Sequence, residues 1–222
     1  MTDTQLPSWG SVLAVVAHPD DESFGLGAIL STFVANGARV SVLCFTHGEA
    51  STLHEVGGDL ATVRADELSA AARALGIESV FLKAYPDGAL RTVDPTVLVA
   101  DVAKIADLVS ADGFVAFDSS GITSHPDHQC ATDIARSAAA PRGAGVLGWT
   151  IPKAAANVLN DEFGAEFVGH DDEQVDIRIA VDRARQIAAI ACHPSQVVPG
   201  GVLWRRLDLL GSYESLRWLT NT

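Results

Sequence analysis

The sequence predicts an α/β protein in which a doubly wound, mainly parallel sheet is flanked by helices and carries a small C-terminal strand addition. Two observations support this prediction. Short apolar runs of strand length alternate with stretches of helical periodicity from residue 12 to residue 150. In addition, His and Asp residues cluster directly after the first apolar run and, beyond a short turn-rich segment, after the fourth, where open α/β sheets bind their ligands.

The alternation can be followed element by element. Strands are predicted where short runs rich in valine, leucine or phenylalanine are bounded by turn residues, at 12–17, 39–45, 79–82, 113–117 and 145–150. Helices are predicted from the spacing of apolar positions, at 25–36, 60–75, 95–110 and 126–139. Gly37 and Gly76 follow two of these helices as C-terminal caps, and Pro95 occupies a favoured first-turn position. Such alternation is typical of parallel strands joined by right-handed crossovers.

The pattern after residue 151 is less regular. We predict a helix over 153–160, two short strands over 166–168 and 176–181 that form a hairpin-like addition to the sheet, and a helix over 182–192 capped by Asp182. The stretches 202–211 and 213–219 have a mixed pattern, in which Trp204 and Trp218 are expected to pack. Without an internal repeat or a linker, the chain is expected to form a single domain over residues 1–222.

The composition excludes several classes of partner. A net charge of −13 argues against binding to nucleic acid and leaves no basic patch for an anionic membrane. No apolar run has the length of a membrane span, and residues 1–10 lack the pattern of a signal peptide. The three cysteines contain no C-x-x-C pair, and Cys44 lies in an apolar strand pattern that indicates a buried free thiol. We therefore expect a cytoplasmic protein.

Three His-Pro pairs stand out from the composition. With 7 His and 9 Pro in 222 residues, chance predicts only about 0.3 such pairs. The pairs begin at His18, His125 and His193, and the first two continue to Asp. Because both His-Pro-Asp elements follow a predicted strand, they are expected to lie at the same edge of the sheet.

The residue types in these two elements favour a metal site. Proline restricts the residue before it, so His18 is held stiffly at the strand end, with Asp20 and Asp21 close behind. An imidazole beside carboxylates suits a divalent ion such as zinc, although acids also suit the first turn of a helix. In the second element, His125 and His128 are three residues apart and can share a helix face. Together the two elements favour a metal over a purely structural role.

A dinucleotide site is the competing interpretation of the first element. Gly25 and Gly27 follow the first strand, as in a nucleotide-binding turn. The third glycine of that fingerprint is replaced by Leu30, and the acids at residues 20–22 would repel a pyrophosphate. This interpretation is therefore disfavoured.

The motifs resemble those of the LmbE-like, or PIG-L, family of deacetylases. The resemblance rests first on Ala17-His18-Pro19-Asp20-Asp21-Glu22 with Gly25 and Gly27, and on His125-Pro126-Asp127-His128. Weaker family features fall in order at Thr46-x-Gly48-Glu49, Arg64-x-x-Glu67-Leu68, Tyr85-Pro86-Asp87-Gly88 and His193-x-Ser195-Gln196. The resemblance covers nearly the whole chain and implies a Rossmann-like fold with a metal at the strand ends.

The resemblance also implies roles for individual residues. His18, Asp21 and His128 would hold one Zn²⁺ per chain, and Asp20 would be the general base. His125 would be the acid or oxyanion-stabilising partner, oriented by Asp127. Arg64 would contact the substrate or support the site, although pairing with Glu67 along a helix is an equal alternative. Two His and one carboxylate also suit Fe²⁺, so iron stays open.

Several positions depart from the family pattern or allow a plainer role. Thr123 replaces a frequent tyrosine, His47 a common arginine, and Arg185 stands near a frequent lysine. His193 is expected to end a helix rather than to act in catalysis, and His54 and His170 are expected at the surface. Glu49 could either cap a loop or contact substrate.

These observations lead to one functional expectation with two alternatives. We expect a zinc-dependent hydrolase that removes an N-acyl group, most simply N-acetyl, from an amino-sugar conjugate or a similar small amide. The alternatives are a non-catalytic metal-binding protein of the same fold and a mononuclear non-haem iron enzyme. The expected partner is a small molecule, with no nucleic acid and no membrane insertion, and a homo-oligomer stays open.

Overall fold

Strands and helices alternate along the described part of the chain, which in the computed structural model comprises residues 2–53 and 59–219. The strands within these ranges are β1 (Ser11–Val16), β2 (Arg39–Cys44), β3 (Ser79–Leu82), β4 (Gly113–Phe117), β5 (Gly145–Thr150), β6 (Ile177–Ala180) and β7 (Tyr213–Trp218). The helices are α1 (Asp21–Phe24), α2 (Gly27–Ala35), α3 (Leu60–Leu75), α4 (Pro95–Val109), α5 (Gly121–Ser124), α6 (Pro126–Ala139), α7 (Lys153–Phe163), α8 (Ala184–Ile190) and α9 (Val202–Leu210). Short 3-10 turns lie at Leu90–Thr92, Ala140–Arg142 and Asp172–Gln174.

The strands belong to one sheet in the order β3-β2-β1-β4-β5-β7-β6. The first five are parallel, whereas β7 runs antiparallel to both of its neighbours. The chain moves outward from β1 to β3 and then returns to place β4 on the other side of β1. Where the strand order reverses, between β1 and β4, a crevice forms at the carboxyl ends of the strands. One His-Pro-Asp element follows β1 and the other follows β4. The predicted doubly wound, mainly parallel sheet is confirmed.

Strand β1 is buried on both faces, which explains its continuous apolar sequence. Val12, Ala14 and Val16 belong to one core, which also contains apolar side chains of α2 and α3. Leu13 and Val15 belong to the opposite core, with apolar side chains of α4 and α6. Two helical layers therefore hold the central strand in place, and the site at its end rests on a rigid support.

Several predicted elements match the structure residue for residue, namely those over 60–75, 79–82, 113–117, 126–139 and 145–150. Local chemistry explains this agreement. In α3 the Asp59 carboxylate accepts a hydrogen bond from Thr62 N (3.3 Å), and Gly76 ends the helix with a φ of 81°. In α4 Pro95 follows Asp94, whose side chain accepts a hydrogen bond from Thr96 N (2.9 Å).

The prediction for the C-terminal third is partly wrong. Residues 166–168 form no strand, because the Asn160 side chain binds the backbone of Phe167. Asn160 Nδ2 donates to the Phe167 carbonyl (2.9 Å), and Asn160 Oδ1 accepts a hydrogen bond from Phe167 N (2.7 Å). The partner of β6 is instead β7, which lies between β5 and β6. The helix predicted from residue 182 begins at Ala184, whose N–H donates to the Asp182 carboxylate (2.9 Å). The predicted packing is confirmed for Trp204, against the cluster formed by α8 and α9, and for Trp218.

Cysteine placement agrees with the sequence prediction. Cys44 is fully buried and none of the three cysteines forms a disulfide. Among the helices of residues 2–53 and 59–219, none combines the length and the hydropathy that crossing a bilayer requires.

Gly25 gives a test of the packing beneath the crevice. A Cβ at this position would lie 2.4 Å from Phe117 Cε1 and 3.1 Å from Trp149 Cζ3. Both rings are held by neighbouring strands, so we expect Gly25→Ala to lower the free energy of unfolding by about 1–3 kcal/mol in urea titrations. Gly10→Ala is the matched control, because its Cβ would lie at an ordinary 3.4 Å from Asp112 Oδ2. Equal stabilities of the two variants would contradict this packing.

Candidate active site

The turn after β1 places the first cluster of polar residues. Asp20 has φ 117° and ψ −28°, a conformation that non-glycine residues rarely adopt and that costs about 1–3 kcal/mol. Its backbone N–H donates to Glu22 Oε2 (2.9 Å), and its carbonyl accepts hydrogen bonds from Ser23 N (3.0 Å) and Phe24 N (2.7 Å). The Asp21 carboxylate folds back over the strand end and accepts a hydrogen bond from His18 N (2.9 Å).

A second strained turn follows β4. Gly121, Ile122 and Ser124 all have positive φ, which bends the chain sharply before α6. His125 caps α6, and its Nδ1 accepts a hydrogen bond from Asp127 N (3.3 Å). His128 lies in the first turn of α6, with Nδ1 3.1 Å from the Gly121 carbonyl. That contact leaves Nε2 of His128 facing the first cluster.

The two turns bring two histidines and a carboxylate together. His128 Nε2 lies 3.2 Å from His18 Nδ1 and 3.2 Å from Asp21 Oδ1, and His18 Nδ1 lies 3.6 Å from Asp21 Oδ2. Two imidazole nitrogens and a carboxylate oxygen are a donor set that zinc and other divalent ions accept. The residues present therefore fit a metal, and three protein ligands would leave a position open for water or substrate.

The other nitrogen of His18 faces two further carboxylates. His18 Nε2 lies 3.1 Å from Asp87 Oδ1 and 3.5 Å from Asp127 Oδ2. Burial lowers the pKa of His18, but hydrogen bonds to Asp127 and Asp87 outweigh it and raise the pKa to about 10. Carboxylates that orient a ligating histidine in this way are a regular feature of metal sites. The negative surroundings of His18 thus favour a bound cation.

The position of Asp127 differs from the expectation that it orients His125. Its carboxylate accepts hydrogen bonds from Gly88 N (2.8 Å) and Leu90 N (3.1 Å) and approaches His18. Only its backbone N–H contacts His125. At the start of α6 the Asp127 side chain points toward the loop after β3, so it approaches His18 rather than His125.

The carboxylates at residues 20 and 21 are in different electrostatic states. Burial raises the pKa of Asp20 to about 7, against the opposing charge of Arg64. Burial also raises the pKa of Asp21, but the charges of His128 and His18 more than reverse this and hold it well below its usual range. Asp21 is thus a permanent anion suited to binding a metal, whereas Asp20 can exchange a proton near neutral pH.

Arg64 contacts the turn after β1, so the alternative of a pair with Glu67 is wrong. Its Nη2 lies 3.0 Å from Asp20 Oδ2 and donates to the Pro19 carbonyl, and its Nη1 donates to the Gly48 carbonyl (2.6 Å). Glu67 instead accepts hydrogen bonds from Ser195 N (2.9 Å) and Oγ (2.6 Å). Both side chains leave α3 on its buried face, where partners distant in sequence replace the neighbour along the helix.

His193 and Glu22 form a buried pair beneath the site. Both side chains have 0% exposure, and His193 Nε2 lies 2.8 Å from Glu22 Oε1. The other Glu22 oxygen holds the strained Asp20 backbone. His193 therefore does more than end a helix, and Glu22 is a supporting residue for which no role was predicted from the sequence. The available signals were the third His-Pro pair and the place of both residues in the family motifs.

The remaining predicted positions lie around the site. Glu49 Oε1 accepts a hydrogen bond from Asp87 N (3.2 Å), which is a loop contact, and His47 Nδ1 lies 3.2 Å from the Ala61 carbonyl. The surface prediction for His170 is wrong, because its ring bridges Thr150 Oγ1 (2.7 Å) and the buried Asp118 (3.3 Å). His54 lies outside the described residues.

A cavity of about 440 Å³ opens over these groups. Its lining includes polar residues, among them His18, Asp20, Asp21, Arg64, His125 and His128. It also includes apolar and aromatic residues and one further arginine, among them Phe24, Phe117, Ile122, Trp149, Phe167 and Arg206. Thr123, which replaces the family tyrosine, also lines the cavity. A small molecule can therefore enter with a reactive group at the His and Asp residues.

Comparison with known proteins identifies the family. Residues 13–139 match the family described as PIG-L, GlcNAc-PI de-N-acetylase. The chain is 30% identical over 251 aligned residues to 1D-myo-inositol 2-acetamido-2-deoxy-alpha-D-glucopyranoside deacetylase of Mycobacterium tuberculosis, with 85% of this chain and 81% of that protein covered. The chain therefore belongs to the PIG-L family, and this mycobacterial relative is named as a deacetylase.

Two further similarities have narrower scope. A Schizosaccharomyces pombe protein described as a probable N-acetylglucosaminyl-phosphatidylinositol de-N-acetylase is 34% identical over 125 residues, and the chain spans about half of its length, 47%. The solved structure of N,N'-diacetylchitobiose deacetylase from Pyrococcus horikoshii aligns with a TM-score of 0.70 over 96% of this chain and 84% of that chain. At 21% identity, this likeness supports the fold alone.

The buried pair beneath the site can be tested by stability. Burial lowers the pKa of His193, but the Glu22 charge and hydrogen bond outweigh it and raise this pKa above its ordinary 6.5. His193→Ala leaves the Glu22 carboxylate buried without a cation, so we expect the free energy of unfolding to fall by about 3–5 kcal/mol. Because the folded-state pKa is raised, the ionic part of the loss should be fully present below pH 6.5 and decline as the pH rises through the raised pKa.

The matched control for this experiment is His47→Ala. His47 makes one contact to a backbone carbonyl in a half-buried position, and we expect its removal to cost about 0.5–1.5 kcal/mol. Urea titrations at several pH values would measure both variants. Equal losses at every pH would show that the His193–Glu22 pair carries no special ionic stabilisation.

Proposed function

We propose that the protein is a zinc-dependent N-deacetylase that hydrolyses the acetamide of an N-acetylated amino-sugar conjugate or a similar small amide. The observation that carries this proposal is the convergence of His18, Asp21 and His128 next to Asp20 and His125 on one cavity wall. The names of the relatives support an N-acetylglucosaminide as the substrate. The acetamide group of the substrate would lie over the His and Asp residues, with the rest of the sugar toward the cavity mouth.

The metal proposal rests on the donor set. His18 Nδ1, His128 Nε2 and the Asp21 carboxylate would hold the ion, and Asp87 and Asp127 would orient the His18 ring through Nε2. When bound, zinc would polarise the amide carbonyl and lower the pKa of a bound water toward about 7. The same donors also bind Fe²⁺, so metal analysis is needed to distinguish zinc from iron.

The chain's own residues would move the protons. Asp20 can accept a proton from water at its carboxylate, which Arg64 holds in place at 3.0 Å. Arg64 has 3% exposure and bonds two carbonyls as well, so its main proposed role is to position Asp20 rather than to grip the substrate. His125 also lines the cavity, and its ring centre lies 4.9 Å from that of His18. It would donate a hydrogen bond to the carbonyl oxygen or a proton to the departing amine.

The two alternatives are less well supported by the same geometry. A protein that only bound the metal would have no use for a strained Asp20 or for a histidine beside the ligands. An iron oxygenase would share the three ligands but would not need a proton-accepting carboxylate next to them. Asp20 and His125 thus favour hydrolysis.

We also propose a single deacetylase domain over residues 1–222 in the cytoplasm. The strands of the one sheet come from residues as far apart as 11 and 218, which supports one folding unit. Cytoplasmic location is supported by cysteines that all remain free.

Metal analysis tests the ligand set. Protein purified without chelator should contain about one zinc per chain, and Asp21→Ala should lose it, because two histidines alone hold zinc weakly. Asp20→Asn should keep the metal, since Asp20 is proposed as a base and not as a ligand. Elemental analysis measures all three proteins. Absence of metal from the wild type, even after zinc is added, would overturn the ligand assignment.

Acetate release tests the reaction. On N-acetylglucosaminides we expect Asp20→Asn to lower kcat by about 10²–10⁴-fold at unchanged zinc content, because the amide side chain cannot take up the proton. Asp208→Asn, whose side chain is 73% exposed in a surface ion pair, is the matched control and should retain full activity.

Other outcomes of the acetate assay would separate the alternatives. Equal activity of Asp20→Asn and Asp208→Asn would remove Asp20 from the reaction. A zinc-loaded wild type that releases no acetate would favour the metal-binding alternative. Oxygen consumption with an iron-loaded protein and an organic co-substrate would favour the iron enzyme.

A further inference from the structure

Two aromatic side chains of the cavity lining connect the His and Asp residues to a buried arginine. The Phe117 ring lies edge-on to His128 at 4.7 Å and packs against Trp149 at 5.3 Å. The Arg206 guanidinium lies 4.9 Å from the centre of the Trp149 ring. Two aromatic rings, which are 7% and 1% exposed, therefore separate Arg206 from a proposed metal ligand.

The Arg206 guanidinium is incompletely satisfied. Arg206 has 8% exposure and lines the cavity, and its Nη2 donates to the Phe24 carbonyl. Its Nε is buried and has no hydrogen-bond partner among the residues that the structure describes. A buried polar group without a partner costs free energy, so such groups in folded proteins are regularly completed by a ligand or by water.

The charges around Arg206 do not balance. Glu214 is the carboxylate whose charge acts on Arg206, but one of its oxygens pairs with Arg183 Nη1 (2.5 Å). Its other oxygen accepts a hydrogen bond from Trp149 Nε1 (2.7 Å). Two guanidinium groups and one carboxylate leave the cluster with one excess positive charge. Burial lowers the pKa of Arg206 to about 10 despite the Glu214 charge, which agrees with an incompletely neutralised cation.

A purely structural role accounts for only part of this arrangement. Stacking on Trp149 and the bond to the Phe24 carbonyl would attach α9 to β5 and to the end of α1. That role leaves the buried Nε and the excess charge unexplained. The preceding residue shows the contrast, because Arg205 is fully engaged at the surface by Glu162 (2.8 Å) and Asp208 (2.8 Å).

We propose that Arg206 forms an anion subsite that binds a carboxylate or phosphate group of the substrate. This inference deepens the proposed function, because it defines the substrate class as an N-acetylated amino sugar conjugated to an acidic group. A guanidinium presents its donors in a planar fork that matches both oxyanions. An excess buried positive charge next to the cavity disfavours a substrate that has a neutral group in place of the carboxylate or phosphate.

Direct binding tests the subsite independently of turnover. We would titrate zinc-loaded wild type, Arg206→Gln, Arg206→Lys and the control Arg205→Gln with benzoate, phenylphosphonate and benzamide in a calorimeter. We expect at least one of the two anions to bind the wild type and Arg205→Gln about tenfold more tightly than benzamide. Arg206→Gln should lose this preference, and Arg206→Lys should keep part of it. The anion that is preferred identifies a carboxylate or a phosphate as the natural group.

The outcomes separate the two proposals. Affinity is fitted independently of stoichiometry, so a partly folded Arg206→Gln still reports on the subsite. Anion binding that is unchanged in Arg206→Gln, as for a carboxylate bound at the metal, would overturn the subsite whether or not acetate is released from glucosaminides. Anion binding that depends on Arg206 in a protein that releases no acetate would leave the subsite standing and overturn the deacetylase proposal.

Discussion

The turn after the central strand determines the rest of the site. The chain reverses at Asp20 in a backbone conformation that non-glycine residues avoid, and this reversal points the Asp20 and Asp21 carboxylates in different directions. Three interactions hold the turn: the Glu22 carboxylate on the Asp20 N–H, the buried His193 behind Glu22, and Arg64 on the Asp20 side chain. These contacts let the two adjacent acids meet different partners, since Asp20 pairs with Arg64 and Asp21 with His18 and His128.

The turn also creates a concentration of negative charge that a cation must offset. His18 is flanked by Asp21 on one ring nitrogen and by Asp87 and Asp127 on the other, and together they raise its pKa despite its burial. Such a histidine holds either a proton or a metal. A metal ion bound there would offset the charge of the carboxylates and take the place of the proton on His18.

The cavity lining combines two kinds of residue. The His and Asp residues are titratable, whereas Phe117, Trp149 and Arg206 form a buried aromatic cluster with a guanidinium group. Gly25 allows this packing, because a side chain there would push into both rings. The glycines after the first strand thus serve packing in this protein, which explains why they resemble a nucleotide-binding turn without being one.

The sequence by itself determined the strand–helix alternation, most of the element bounds and the two His-Pro-Asp elements, because hydrophobic periodicity, caps and prolines act over a few residues. Tertiary structure alone decided which groups meet. The Asp127 carboxylate approaches His18 rather than His125, Arg64 reaches Asp20 rather than Glu67, and β7 rather than residues 166–168 pairs with β6. Each of these contacts joins residues that lie tens of positions apart, or depends on which way a helix turn faces. Local sequence patterns do not indicate which distant residues come into contact. Only the folded chain could therefore place the supporting residues of the site and the buried arginine.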